Sequence, residues 1–352
     1  MWKNIFIQDK LHSSTKLSVQ QIMFFVLLAA VPGIITQFIC FGWGAFLQLV
    51  WCMLLAVAFE AFILKLRNYK YTDYLPDNSA LVTGMLLGVA IPPLAPWWFG
   101  LVGVGFAIVF GKHIYGGIGK NIFNPAMLGY ALLLVSFPKQ AATWLPASST
   151  LLPQPSLTEA WGIFWGYAAV SADSFAHATP LDIIKNNNAL TLNELWKSSQ
   201  ILDGIGGKGW VLVNISYAIG GLFLLYKKII KWQAPLGMLL AIVIMAFFGW
   251  QGNNTSSAAS PMFYLFDGAT MLGAFFIITD PTSGATSNLG RLIFGIGVGI
   301  LVYVIRVFGG YPDAVAFATL LMNITAPLLD YYTSPRAYGH KKADKGLPRT
   351  KS

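Results

Sequence analysis

The chain has 352 residues, of which 56% are hydrophobic and 11% charged, and a mean hydropathy of +0.61. That is about half the charge of a soluble domain and more apolar surface than one core can hide, so a soluble enzyme is excluded and a polytopic protein of the lipid bilayer is expected. The net charge of +9 then reads as a bias toward the cytoplasmic face, and no nucleic-acid partner is expected.

Residues 1–21 are polar and basic and carry no cleavable-signal pattern. Apolar runs follow at about 22–40, 43–64, 79–93, 97–111 and 125–137, and again at 210–226, 235–250, 262–279, 291–307 and 314–329. Cys40 and Cys52 fall inside such runs without metal-ligand spacing, so neither a disulfide nor a zinc site is expected. The third, fifth and eighth runs are short or rich in Gly and Pro, which predicts broken helices that line a site and do not face lipid. The fold class expected is an all-α polytopic membrane protein of about ten transmembrane helices. Its divisions are an N-terminal cytoplasmic segment 1–21, a five-helix membrane unit 22–137, a polar loop 138–208, a second five-helix unit 209–330 and a basic cytoplasmic tail 331–352.

Orientation follows from the basic residues. With the N-terminus inside, 18 of the 23 Lys and Arg fall on the inner side, which places both termini in the cytoplasm and the loop 138–208 outside. The halves also look related. Tyr115-Gly116-Gly117 precedes the fifth run and Phe308-Gly309-Gly310 the tenth, and an odd number of spans per half makes the two copies inverted repeats with broken third and eighth spans.

Polar motifs inside this plan are few. Lys112 to Met127 is the densest cluster of polar residues and glycines between runs. Gly116 and Gly117 would let backbone approach a flat ligand, Asn121 and Asn124 can donate and accept, and Pro125 suits a first helical turn. A planar heterocycle would fit it, and so would a tight turn with Asn124 as the helix N-cap. Asp77-Asn78-Ser79 opens the broken third run either as a ligand face or as a simple cap. Glu60 is a carboxylate within an apolar run; it marks a cation path, or it snorkels toward Lys65 and Arg67.

Three Ala-Thr pairs share a similar surrounding: Ala178-Thr179, Ala269-Thr270 and Ala285-Thr286. Asp280-Pro281-Thr282-Ser283-Gly284-Ala285-Thr286 resembles the Asp-x-x-Ser-Gly-Ala-Thr signature on which flavin transferases attach FMN through a phosphoester. Asp173-Ser174-Phe175-Ala176-His177-Ala178-Thr179 keeps Asp, Ala and Thr at the same spacing but has Ala176 and His177 in place of Ser and Gly. Sidedness reverses that ranking, since the transferase of the implied family is exported. Thr286 would face the cytoplasm, Thr270 would lie inside the eighth span, and Thr179 alone would be outside in a flexible polar loop. The reaction needs an accessible hydroxyl brought in line with a pyrophosphate.

Blocks along the whole chain carry a wider resemblance: Asp77-Asn78-Ser79-Ala80-Leu81, Ile91-Pro92-Pro93-Leu94-Ala95-Pro96-Trp97-Trp98, Asn121 to Met127, Ala178-Thr179-Pro180-Leu181-Asp182, Gly268-Ala269-Thr270-Met271-Leu272-Gly273-Ala274-Phe275-Phe276, Arg291-Leu292-Ile293-Phe294-Gly295 and Phe308-Gly309-Gly310-Tyr311-Pro312-Asp313. In this order they resemble RnfD, the D-type membrane component of the Rnf (Rsx) ion-translocating electron-transport complex and a relative of the B-type component of sodium-pumping NADH:quinone oxidoreductase. The resemblance implies a bacterial inner-membrane location and a complex that couples electron transfer between NADH and ferredoxin-type carriers to cation movement. It implies partners among the other subunits, including iron-sulfur and further flavin subunits, and a flavin transferase for maturation. It also implies FMN on Thr179 and a second, non-covalent flavin, riboflavin, near Asn121 and Asn124 with Gly116 and Gly117. The competing class is a channel or solute transporter without a redox role. Asp267 and Asp330 receive no role from the sequence.

Overall fold

A computed structural model describes residues 17–333 apart from 70, 72–74, 118, 151, 168–170, 188, 253–257 and 312–313. Most of the N-terminal segment 1–21 and of the tail 331–352 therefore lies outside the described residues.

The first helix, α1 (Val19–Leu66), opens on a capping box in which Ser18 and Gln21 exchange side-chain and backbone bonds, and it breaks at Gly42 (φ 68). That left-handed backbone turns the second arm back beside the first. Cys40 lies against Gly209, while Ile22 and Lys112, the latter bonded to Glu60, border one cavity at the opposite end. The arms thus correspond to the two apolar runs expected there. The next helices alternate in direction. In α2 (Ser79–Ala90), Gly88 meets Leu49 and Gly84 meets Cys52. In α3 (Trp97–Phe106), which continues as a π-helical segment Ala107–His113, Gly100 meets Cys52 and Gly105 meets Phe59. In α4 (Pro125–Ser136), Gly129 meets Gly103. Small residues at these crossings let backbones approach closely, the packing that serves where lipid removes the usual hydrophobic drive.

The segment after α4 covers one end of the bundle, the cap end. It holds α5 (Pro138–Ala142), α6 (Leu157–Trp165), α7 (Pro180–Lys185), α8 (Leu192–Ser198) and a two-stranded hairpin of β1 (Leu202–Asp203) and β2 (Gly206–Gly207). Leu202 pairs with Gly207 in it. The described residues of the segment expected as a polar loop thus include short helices. Three capping boxes, Ser156/Glu159, Thr179/Asp182 and Thr191/Glu194, fix the starts of α6, α7 and α8. In this segment hydrogen bonds from the capping residues hold the Glu159 and Glu194 carboxyls below their ordinary range.

The second half repeats the alternation with α9 (Trp210–Tyr226), α10 (Gln233–Gly249), a broken pass of α11 (Pro261–Phe266) and α12 (Thr270–Leu272) running into a π-helical segment Gly273–Ile277, then α13 (Asn288–Phe308) and α14 (Val315–Thr333). Tyr217 packs on Gly33 and Gly220 on Ala29, so α9 runs antiparallel to the first arm of α1. Among the described residues, two helices are long and apolar enough by themselves to cross a membrane, Val19–Leu66 and Asn288–Phe308, and shorter apolar helices span 10–17 residues.

In the third pass of each half one helical segment starts alike. Asp77 precedes Asn78 (φ 61) and Asp267 precedes Gly268 (φ 61). A buried cation from the following pass then meets a hydroxyl at each break. Lys112 donates to Ser79 Oγ at 2.6 Å and Arg306 to Thr270 Oγ1 at 2.8 Å. The first break lies at the basal end of the bundle and the second at the cap end.

Candidate functional site

At the cap end a cavity of about 300 Å³ opens between the halves. Gln37, Trp144, Thr179, Asp182, Trp210 and Tyr217 are among the residues that border it. Phe41, Trp144 and Trp210 form one aromatic wall, with Phe41 and Trp144 ring centroids 5.0 and 5.2 Å from that of Trp210. The few polar groups on the floor are already oriented by neighbours. Tyr217 donates to Gln37 Oε1 at 3.0 Å, Gln37 Nε2 donates to the Val89 carbonyl at 2.8 Å, and Asn214 donates to the carbonyls of Phe266 and Gly268 at 2.9 Å each. Asn214 thereby bridges the break in the eighth apolar run.

Thr179 is the N-cap of α7 and is half-buried on the cavity rim. Its hydroxyl donates to Asp182 Oδ2 at 2.6 Å and accepts from the Asp182 N–H at 3.2 Å, while its own N–H donates to the same carboxylate oxygen at 3.1 Å. Thr-Pro-Leu-Asp matches the capping-box pattern, with Pro180 suited to the first turn, so the local sequence dictates this geometry. The segment is held from below. Gly207 N donates to both oxygens of the fully buried Asp267, at 2.9 and 3.0 Å, and a Cβ at Gly207 would overlap Pro180. On the far side of α7, Lys185 donates to the Tyr311 carbonyl at 2.8 Å. Burial pulls the Lys185 ammonium below its ordinary pKa, and the Asp182 carboxylate opposes that shift.

The Ala-Thr pairs at 269–270 and 285–286 are arranged differently. Thr270 is fully buried, with its hydroxyl on the carbonyls of Tyr264 (2.8 Å) and Asp267 (2.9 Å) and under Arg306. Thr286 is exposed at the basal end; its N–H donates to Asp330 at 2.7 Å and its hydroxyl has no hydrogen-bond partner among the described residues. The signature Asp280 accepts from Thr282 and Ser283 at 2.7 Å each. Asp173, in the matching place before Thr179, is exposed and lies 3.5 Å from Lys139.

The second cluster of interest borders a smaller basal cavity of about 120 Å³, together with Lys112, Asp280 and Thr282. Asn124 is the N-cap of α4, accepting from Met127 N at 3.2 Å, and its amide donates to Ile277 O at 3.3 Å. Asn121 donates to Phe123 O at 3.0 Å and to Thr282 Oγ1 at 2.8 Å. Gly116 (φ 107) and Gly117 (φ 101) lie in the turn before it and do not border the cavity. This cavity is smaller than the usual range for a cofactor pocket, and the side-chain amide nitrogens of both asparagines are engaged by protein. Both asparagines tie the halves together.

Glu60 does not snorkel toward Lys65 and Arg67. It is 3% exposed and accepts from Lys112 Nζ at 2.7 Å, while His113 Nε2 stands 3.1 Å from its other oxygen without hydrogen-bond geometry. Sequence distance hides the pair, because its members are 52 residues apart. Asp182 is equally absent from the functional groups read from the sequence, although its capping-box spacing to Thr179 is readable there.

A bundle of apolar helices in alternating directions, with a cofactor-sized cavity between two halves, defines a helical protein of the membrane class. The chain belongs to the NQR2, RnfD, RnfE family, whose model matches residues 6–339. It is 51% identical over 338 residues, 96% of this chain and 97% of the relative, to the D-type component of the ion-translocating oxidoreductase complex of Pseudomonas paraeruginosa. Proteins of the same name from Aliivibrio salmonicida and Klebsiella pneumoniae are 48% identical over 350 residues and 50% over 337. They match 96% and 91% of this chain, and 99% and 95% of their own lengths.

Proposed function

We propose that this chain is the flavin-bearing membrane subunit of an ion-translocating electron-transport complex, carrying FMN as a phosphoester on Thr179. The relatives at about half identity are named as subunits of an ion-translocating oxidoreductase complex. The observation that carries the flavin reading is the Thr179 hydroxyl: of Thr179, Thr270 and Thr286 it alone is on a cavity rim with its hydroxyl bonded to a carboxylate. A cavity of about 300 Å³ lies at the lower end of the size range of cofactor pockets. When bound, the flavin supplies one- and two-electron redox chemistry. Thr179 tethers it through the phosphate, the aromatic wall of Phe41, Trp144 and Trp210 offers faces for a planar ring, and Asn214, Gln37 and Tyr217 fix the floor. The apolar lining limits water at the ring.

In this reading the chain crosses the bacterial inner membrane ten times as two inverted five-helix repeats, with both termini cytoplasmic and residues 138–208 outside. The basic-residue count, the alternating helix directions and the paired Asp77/Asp267 breaks support it. The complex couples electron transfer between NADH and ferredoxin-type carriers to cation movement, with iron-sulfur and further flavin subunits as partners.

The test is to express the full chain with a bacterial flavin transferase and look for flavin fluorescence on the denatured polypeptide. A band in the wild type and in Thr286→Val that disappears in Thr179→Val is expected. The reverse pattern would overturn both site and orientation, and no band in any variant would favour a transporter without redox role.

A further inference from the structure

We propose that Asp182 is the general base for flavin attachment, accepting the Thr179 proton as the threonine oxygen bonds to phosphorus. The inference rests on Thr179 being the attachment residue.

A threonine hydroxyl is a weak nucleophile and needs a proton acceptor in hydrogen-bond reach. Asp182 Oδ2, at 2.6 Å from Thr179 Oγ1, is such an acceptor, borne by the substrate protein itself. Protein kinases use the same pairing when an aspartate accepts a substrate hydroxyl's proton during phosphoryl transfer. Neighbouring groups do not offer an equivalent. His177 Nδ1 faces the Phe175 carbonyl at 3.1 Å, Asp173 is drawn to Lys139, and Lys185 is a cation bonded to Tyr311. The comparison within the chain points the same way. The Thr270 hydroxyl faces carbonyls and an arginine, and at Thr286 the nearby carboxylate of Asp330 is bonded to the backbone N–H.

The step balances without redox change. The co-reactant is a flavin-adenine dinucleotide brought by the transferase. Thr179 Oγ forms a bond to the phosphorus next to riboflavin, the pyrophosphate P–O bond to the AMP phosphate breaks, and its electron pair leaves with AMP. The proton passes to Asp182 Oδ2 and from there to solvent, since Asp182 is only half-buried. Afterward the cap of α7 keeps its Thr179 N–H bond to Asp182 and loses only the hydroxyl donor.

A base must be separated from a mere cap, and the capping box itself supplies the means, because Glu and Gln both serve at its third position while only Glu can take a proton. Purified full-length Asp182→Glu, Asp182→Gln, Thr179→Val and wild-type chains are incubated with flavin transferase, FAD and magnesium, and initial rates of covalent fluorescence are measured. Asp182→Gln is expected to slow attachment by about 100-fold or more, the scale of a lost general base, with Asp182→Glu recovering to within about tenfold of wild type. Equal rates for the Glu and Gln variants, whether fast or slow, would sink the role of Asp182 while loss in Thr179→Val left the attachment site standing. A band persisting in Thr179→Val would sink both.

Discussion

The two ends of this molecule treat their polar residues in opposite ways. At the cap end the chain leaves a cavity of about 300 Å³ and turns one hydroxyl on its rim toward a carboxylate. At the basal end polar groups consume one another: Glu60 with Lys112, Asn121 with Thr282, Asp280 with Thr282 and Ser283, and Asp330 with the N–H of Thr286. The better-spelled flavin signature lies at the basal end, where its Asp and Ser stabilise a turn. The poorer spelling lies where a hydroxyl has both an oriented acceptor and an adjoining cavity. Spelling and surroundings are therefore separable, and the two motifs differ in what each hydroxyl meets.

The sharpest way to break this contrast is to remove one hydroxyl at each end. Thr179→Val is expected to abolish covalent flavin on denaturing gels while Thr286→Val leaves it unchanged. Next in size is the difference of at least about tenfold between Asp182→Glu and Asp182→Gln in attachment rate, given a general-base contribution of about 100-fold or more.

At the basal end the expected effects are on stability. Lys112→Met leaves the Glu60 carboxylate buried without its cation, and should destabilise the folded chain by about 3–5 kcal/mol, read as a lower thermal midpoint in detergent. Glu60→Gln in the same background should recover most of the loss; no recovery would mean that Lys112 acts through Ser79 instead. Asn124→Ala, which removes the cap of α4, should lower stability by about 1 kcal/mol without altering flavin attachment at Thr179, and lost attachment would tie that end to the flavin chemistry.

The smallest effect concerns α6 and α8. Bonds from Ser156 and Thr191 hold the Glu159 and Glu194 carboxyls below the ordinary glutamate pKa. Their contribution is complete above that ordinary value and is lost as pH falls through the lower folded pKa. Amide protection factors, the exchange rates corrected for the intrinsic pH dependence, should fall in the first turns of both helices on acidification in that window, and Thr191→Ala should remove the effect in α8 alone.

Much of the fold is legible in the sequence because apolar runs and their punctuation are local. The runs around 22–40 and 43–64 are separable, and Gly42 is the turn between them. Asn124 before Pro125 reads as a cap and is one, and Thr179-Pro180-Leu181-Asp182 carries its capping box openly. The order of the segment 138–208 escapes such a reading, since its capping boxes are scattered through polar, loop-like composition. The partners of Glu60 escape it as well, because Lys112 approaches only when α3 packs against the second arm of α1.

Hydropathy, caps and motif spacing act over a few residues, and for that reason the bare chain already specifies a helical, membrane-type protein, its family and the three threonines that could bear a flavin. Which hydroxyl meets a cavity, and which carboxylates are spent on buried partners, is settled by packing alone. Those relations join residues such as Gly207 and Asp267, or Glu60 and Lys112, that become neighbours only in the folded bundle, and no local pattern records them.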